Sequence, residues 1–199
     1  MTVEVDPERD ALVIVDVQND FCPRGALGVA EGDRVVPVLN GYAQRFAARG
    51  AAVFASRDWH PRETTHFQTH GGVWPPHCVQ GTLGAELHPD LILPPGTTLV
   101  SKGMEPESDA YSCFQAETED GSPFAAALGE RGVSRLFIGG LATDYCVKAT
   151  VLDGIQAGFE MVVLEDAIAA VDVAPGDGAR ALEEMRGAGA QLVRRDDIR

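Results

Sequence analysis

The chain has 199 residues, and 30 acidic against 16 basic side chains give it a formal net charge of −14. This excess of negative charge argues against nucleic acid and against an anionic membrane surface as partners, because both bind through clustered Lys and Arg. Hydrophobic residues make up 45% and charged residues 23% of the chain, which is typical of a globular protein. At this length we expect a single domain over residues 1–199, with a sizeable buried core.

The N-terminal sequence and the cysteines predict a cytoplasmic protein. The first ten residues contain four acidic side chains and lack the cationic region of a secretory signal peptide. The longest early apolar run, residues 11–15, is far shorter than the roughly 20 residues that span a membrane. The cysteines form neither a C-x-x-C motif nor a dense framework, which favours reduced thiols. They are Cys22, Cys78, Cys113 and Cys146.

Short apolar runs alternate with stretches of helical spacing along the chain. In chain order the pattern predicts strand 12–15, helix 33–49, strands 52–56 and 98–101, helix 123–131, strand 136–138, helix 143–157, strand 161–164, helix 178–186 and strand 191–193. Strands that alternate with helices imply right-handed crossovers and a parallel sheet that is covered on both faces. We therefore expect an α/β fold with three α/β/α layers and a mainly parallel sheet of about six strands.

Charged and nucleophilic residues follow several of the predicted strands, at the edge where open α/β sheets bind ligands. Asp16 and Lys102 each end an apolar strand with a charge that a core does not need. Cys146 falls in the first turn of a helix that Thr143 is expected to cap, so the helix dipole is expected to lower the thiol pKa. An aspartate beside the thiol can act as general base, and a nearby lysine keeps it ionised. The alternatives are a rim salt bridge and an inert buried cysteine, but the coincidence favours a catalytic trio.

A second group of residues has the character of a metal site. Four of the five histidines lie within residues 60–77, part of a long irregular segment that breaks the strand–helix rhythm. Asp58 and His60 are two residues apart, so both point to one side of an extended chain, and two prolines precede His77. Two imidazoles and a carboxylate with an open position suit Zn²⁺, Fe or Mn. The alternative is a polar loop with exposed histidines.

Six segments in chain order resemble the nicotinamidase/pyrazinamidase family of the isochorismatase-like cysteine hydrolases. The DWHP and WPPHCV pieces are typical of the metal-containing nicotinamidases within that superfamily, and the whole set covers nearly the entire chain. The segments are 15–21 (VDVQNDF), 56–61 (SRDWHP), 74–81 (WPPHCVQG), 102–103 (KG), 111–112 (YS) and 140–147 (GLATDYCV).

The resemblance implies an isochorismatase-like fold and hydrolysis of nicotinamide to nicotinate and ammonia, a step in NAD salvage, with pyrazinamide as a further expected substrate. It implies a catalytic triad of Asp16, Lys102 and Cys146 that works through a cysteine thioester. It also implies that the backbone N–H groups of Ala142 and Cys146 stabilise the oxyanion, and that the bond between Leu141 and Ala142 is cis.

The same resemblance implies one divalent metal ion, with Zn²⁺ as the first choice and Fe²⁺ or Mn²⁺ as alternatives. Asp58, His60 and His77 match the core ligands, while His66 matches a position that binds metal in some members and is serine in others. Cys113 stands where the family pattern has glycine, which predicts a second thiol near the pocket. The residues that match substrate-pocket positions are Phe21, Trp74, Tyr111 and Tyr145.

Three other interpretations are open at this point. One is a zinc hydrolase whose metal-bound hydroxide is the nucleophile, with Cys146 incidental. Another is a superfamily relative that acts on a different small amide or on isochorismate, which the WPPHCV segment disfavours. The third is a non-catalytic ligand-binding domain. The sequence does not give the oligomeric state, with a homo-oligomer as one alternative, and it suggests no role for His70.

Overall fold

The computed structural model describes residues 3–199 and contains one seven-stranded sheet with four α-helices. The strands are β1 (Asp10–Val15), β2 (Ala52–Asp58), β3 (Thr98–Lys102), β4 (Glu117–Thr118), β5 (Arg135–Leu141), β6 (Glu160–Ala169) and β7 (Gln191–Val193). The α-helices are α1 (Val35–Ala48), α2 (Phe124–Glu130), α3 (Lys148–Gln156) and α4 (Asp177–Ala188). None of the helices in this part of the chain is both long enough and apolar enough to cross a membrane.

The sheet has the strand order β4-β3-β2-β1-β5-β6-β7, and every pairing is parallel except that of β3 with β4. Successive side chains of β1 alternate between the two faces, as the pleat requires. Leu12 and Ile14 pack against α1, while Val13 and Val15 pack against the helices on the opposite face. Because both faces are buried, β1 is apolar at nearly every position. The predicted three-layer α/β/α fold is thus confirmed.

The sequence missed the edge strand β4, so the sheet has seven strands rather than about six. This strand has only two residues, Glu117 and Thr118, and neither is apolar. β6 also runs five residues beyond its predicted end, because its pairing with β5 resumes after a register shift, with Gly140 opposite Ile168. Neither the polar two-residue strand β4 nor the irregularly paired end of β6 has the hydrophobic periodicity from which strands are predicted.

The predicted helix 143–157 is interrupted near its start. Its first five residues, Thr143–Val147, form a π-helical turn in which the Val147 N–H donates to the Ala142 carbonyl at 3.1 Å. The α-helical part begins only at Lys148. The prediction that Thr143 caps this helix is wrong, because the residue before the turn is Ala142 and no side chain caps it. Such π turns occur frequently at functional sites.

Candidate active site

Strand register brings the predicted catalytic residues to one edge of the sheet. Lys102 is the last residue of β3 and lies beside Asp58, the last residue of the neighbouring β2. Asp16 follows β1 directly, with a left-handed φ of 47°. Cys146 belongs to the π turn that follows β5, and β5 pairs with β1 on the side opposite β2. Four residues that are far apart in sequence therefore converge because four neighbouring strands end there.

Asp16, Lys102 and Cys146 form one buried contact group. The Lys102 ammonium Nζ lies 2.8 Å from Asp16 Oδ2 and 3.5 Å from Cys146 Sγ. The same ammonium donates to the Ala110 carbonyl at 3.0 Å and to Asp58 Oδ1. Asp16, Lys102 and Cys146 are each at most 5% exposed. The Lys102 ammonium thus contacts two carboxylates and a thiol in a site from which water is largely excluded.

The electrostatics of this group favour a neutral thiol beside a basic carboxylate. Burial raises the pKa of Asp16, with Lys102 opposing it and Asp58 adding to it. Burial would lower the pKa of Lys102, but Asp16 and Asp58 raise it well above its usual value. Burial also raises the pKa of Cys146 well above its usual value, against the influence of Lys102. The expectation that the helix start lowers this thiol pKa is wrong, because burial outweighs it.

Ser56 holds the Asp16 side chain from the neighbouring strand. Its hydroxyl donates to Asp16 Oδ1 at 2.6 Å and accepts the Asp16 N–H at 3.2 Å. Oδ1 is thus hydrogen-bonded, whereas Oδ2 forms an ion pair with Lys102 at 2.8 Å but has no hydrogen-bond partner among residues 3–199. The carboxylate is therefore fixed in orientation without any contribution from a ligand. The sequence carries no signal for Ser56, since a serine in a buried strand has many roles.

Beside this group lies a buried cluster of three histidines. Ring nitrogens of His60, His66 and His77 all lie within 4.8 Å of one another. His60 Nδ1 lies 3.1 Å from the Gly103 carbonyl, and His77 Nδ1 lies 2.8 Å from the Pro75 carbonyl. A carbonyl oxygen can only accept, so both Nδ1 atoms carry the hydrogen and both Nε2 atoms offer a lone pair.

The donor set of this cluster fits a divalent cation. His60 Nε2 is buried without a hydrogen-bond partner among residues 3–199, and Asp58 Oδ2 lies 3.6 Å from it. Burial lowers the pKa of His66, and it lowers the pKa of His77 to about 4. Although burial opposes it, Lys102 and His60 hold the pKa of Asp58 below its ordinary value. Neutral imidazoles and an ionised carboxylate are the ligands that zinc and similar ions take.

A narrow cavity connects the histidine cluster to the thiol. Cys146 and Ala142 lie on one part of its wall, and Asp58, His66 and His77 lie on another. Trp74 Nε1 donates to the Tyr111 hydroxyl at 2.8 Å, and the Trp74 and Tyr145 rings meet edge to face, 5.1 Å between centroids. All four residues predicted for a substrate pocket line this cavity, namely Phe21, Trp74, Tyr111 and Tyr145.

Several residues around the cavity carried no signal in the sequence. Leu27, Ala110 and Val171 complete its wall, and apolar residues in loops follow no pattern. Asp144, two residues before Cys146, accepts the N–H groups of Val171 and Asp172, both at 2.9 Å. This carboxylate fastens the π turn to the loop after β6. The implied cis bond between Leu141 and Ala142 is present.

The other two residues singled out in the sequence lie outside the cavity wall. Cys113 is fully buried in the hydrophobic cluster that also contains Cys146, and burial raises the pKa of its thiol to about 11. Its N–H donates to the Thr150 hydroxyl at 3.0 Å. His70 is exposed, and the only hydrogen-bond partner of its ring among the described residues is the side chain of the adjacent Thr69.

This fold and this arrangement of thiol, carboxylate, ammonium and histidines define a family. A model of the isochorismatase domain matches residues 10–197, and the chain belongs to that family. A nicotinamidase from Escherichia coli is 41% identical over 198 residues, which cover 92% of this chain and 93% of the relative.

Two solved structures extend the comparison to ligands. A pyrazinamidase from Pyrococcus horikoshii, solved in complex with zinc, is 45% identical, with a TM-score of 0.86 over 94% of this chain and 99% of the other. A protein from L. infantum, solved in complex with nicotinate, is 34% identical, with a TM-score of 0.88 over 100% of this chain and 99% of the other.

Proposed function

We propose that this protein is a metal-containing cysteine amidohydrolase that converts nicotinamide to nicotinate and ammonia, a step in NAD salvage, and that also hydrolyses pyrazinamide. One observation carries the proposal. The buried Cys146 thiol, with Asp16 and Lys102 beside it, opens into an aromatic cavity whose other wall holds His66 and His77, two members of the three-histidine cluster. The similarity to a nicotinamidase and to a zinc-bound pyrazinamidase supports this choice of substrate.

In the first step Asp16 takes the proton of Cys146, and the sulfur attacks the amide carbon. The raised pKa of the Asp16 carboxyl, caused chiefly by burial, makes it a stronger base than an exposed aspartate. Lys102, 3.5 Å from the sulfur, stabilises the negative charge as it forms. A thiol that is neutral at rest becomes nucleophilic only where a base can accept its proton.

In the second step the tetrahedral intermediate collapses. The N–H groups of Ala142 and Cys146, both residues of the cavity wall, are assigned to the oxyanion. The proton on Asp16 passes to the leaving nitrogen, so ammonia departs and a thioester to Cys146 remains. Asp16 then takes a proton from water, whose oxygen attacks the thioester carbon. The acid product leaves as the sulfur recovers its proton.

The metal is assigned to Asp58, His60, His66 and His77, with zinc as the first choice. A divalent cation held by these residues would act as a Lewis acid toward the ring nitrogen of the substrate. The aromatic side chains Trp74 and Tyr145 confine the flat ring, so that the amide carbon is presented to the thiol. The role of these residues is to position the substrate, while the thiol supplies the nucleophile.

Ammonia release by the purified protein tests the proposal. Nicotinamide and pyrazinamide are expected to give ammonia, and acetamide, which has no ring for the aromatic cavity, serves as control. A chelator is expected to reduce turnover of the two aromatic amides, and added zinc to restore it. Cys146→Ser is expected to abolish turnover. Full activity in that variant would identify a metal-bound hydroxide as nucleophile and overturn the cysteine mechanism.

The sequence also supports two broader proposals about the protein in the cell. We propose that it works in the cytoplasm, on a small-molecule substrate, without nucleic acid or membrane as partner. The charge of −14 and the four free, buried cysteines support this. Cell fractionation tests the location, and recovery of the protein with the membrane pellet would contradict it.

A further inference from the structure

The three histidines of the cluster are oriented by partners of different kinds. His60 and His77 each have Nδ1 against a backbone carbonyl, of Gly103 and Pro75 respectively. His66 Nδ1 instead meets a side chain, the Oδ1 atom of Asp109. A backbone carbonyl is fixed by the fold, whereas a side-chain partner can be removed by a single substitution. His66 is therefore the histidine whose orientation can be tested separately.

Asp109 belongs to a segment that contacts both the histidines and the triad. We define residues 103–111 as the strap. Its Gly103 carbonyl faces His60, and its Ala110 carbonyl accepts from Lys102 at 3.0 Å. Asp109 lies between them with a side chain that is 62% exposed, against 5% for His66. The Asp109 carboxylate is largely solvated, yet it contacts a buried imidazole. Solvation alone does not explain this inward orientation of the side chain.

We propose that Asp109 is a positioning residue for the metal site: it holds His66 in the orientation and tautomer that direct Nε2 toward the cation. The inference rests on the metal site proposed above. An ionised carboxylate only accepts, so the contact places the hydrogen on Nδ1 and the lone pair on Nε2. The third imidazole then matches the other two, and all three present the same nitrogen to one point.

The carboxylate does more than a carbonyl in this position. Its negative charge makes the imidazole a stronger donor, and outer partners of this kind commonly contribute 10–100-fold (roughly) to metal affinity. The two carbonyl-bound histidines and Asp58 are present whether or not Asp109 is there. Loss of Asp109 should therefore weaken the site without abolishing it, and the weakening should pass entirely through His66.

Zinc affinity of the metal-free protein tests this, measured by competition with a chromophoric chelator. Asp109→Ala is expected to weaken zinc binding by about 10–100-fold. Asp109→Asn keeps an accepting oxygen without the charge, so a smaller loss is expected. Glu107→Ala removes an exposed acidic residue of the same strap and serves as the matched control for charge alone. Its affinity is expected to equal that of the wild type.

A double-mutant cycle shows whether the effect passes through His66. In a His66→Ala background, Asp109→Ala is expected to cause no further loss of zinc affinity. The visible spectrum of the cobalt-loaded protein gives a second readout, in which Asp109→Ala should resemble His66→Ala and differ from the wild type. Thermal unfolding of the metal-free variants checks that each is folded. If Asp109→Ala is not folded, the isosteric Asp109→Asn variant provides the same test.

The results separate this inference from the metal site itself. If the wild type binds zinc and Asp109→Ala binds it equally well, the positioning role is wrong and the site stands. An equal loss in both backgrounds would also overturn it, because the effect would then bypass His66. If the wild type binds no divalent cation, the metal site and this inference both fail.

Discussion

The two halves of the site are built in different ways. The triad half is placed by the regular sheet, since Asp16 directly follows β1, Lys102 ends β3 and Cys146 lies in the π turn after β5. The histidine half lies in an irregular segment and is held by single polar contacts, such as those of Gly103 and Asp109. A sheet is stabilised by many hydrogen bonds together, whereas an isolated contact can be lost alone. Substitutions should therefore separate chemistry, which needs the triad, from metal binding, which needs the irregular segment.

The largest effect should come from the base of the triad. Asp16→Asn keeps the shape of the side chain but cannot take the thiol proton, so ammonia release should fall by ~10²–10⁴-fold. Alkylation of Cys146 near neutral pH should instead become faster, because Asp16 raises the pKa of the thiol and asparagine carries no charge, while bound zinc should stay unchanged. Mass spectrometry after limiting iodoacetamide locates the label, and Asp33→Asn, an exposed carboxylate, is the control. Unchanged alkylation and activity would mean that Asp16 only pairs with Lys102.

The converse change breaks the histidine half and leaves the triad intact. His77→Ala removes one imidazole of the cluster, so bound metal should be lost on desalting. Alkylation of Cys146 should keep its wild-type rate, because His77 is not among the groups that contact the thiol or Asp16. Elemental analysis and labelling of the same sample give both readings. Full metal occupancy would show that His77 is not a ligand. Slower labelling of Cys146 would show that the histidine half and the triad half are coupled.

Gln18 connects the two halves and should show an intermediate effect. Its side chain accepts the Asp58 N–H and donates to the carbonyls of Asp58 and Ala85, all at 2.8 Å. Gln18→Leu leaves these buried backbone groups unpaired, at a cost of about 1–3 kcal/mol for each group that water does not reach. Urea unfolding should show the loss, and Gln44→Leu, at an exposed position, should not. Equal stability of both variants would mean that the segment around Ala85 does not depend on Gln18.

The same division explains what the sequence could predict. Strands 12–15 and 98–101 were recognisable because buried parallel strands are apolar, and the charges of Asp16 and Lys102 stood out against them. The histidines stood out by their density. Asp109, Asp144 and Gln18 did not, because each acts through contacts with one or two residues far away in the chain, and such contacts leave no periodic pattern.

Predictions from the local sequence were also wrong where the assembled fold determines the property. A cysteine near a helix start is expected to have a lowered pKa, but Cys146 is almost fully buried between two carboxylates and has a raised one. Burial is a property of the assembled fold, so the short segment around Cys146 could not reveal it. The π turn at Thr143–Val147 is a similar case, since its sequence reads as an ordinary first turn of helix.

The smallest predicted effect concerns Cys113, below the triad half. Burial raises the pKa of its thiol from 9.0 to about 11, so the folded protein keeps a proton that the unfolded chain releases. The stability linked to this thiol is therefore fully present below pH 9 and is lost as the pH rises toward 11. The free energy of unfolding should fall by at most about 1.4 kcal/mol per pH unit for this one group. Cys113→Ala should flatten the alkaline decline by that amount.

Val151→Ala, in the same buried cluster, lacks a titrating group, so it should lower stability at every pH and keep the wild-type slope. Urea unfolding from pH 8 to pH 11 gives both slopes, and identical slopes for Cys113→Ala and Val151→Ala would show that Cys113 is not the group that titrates.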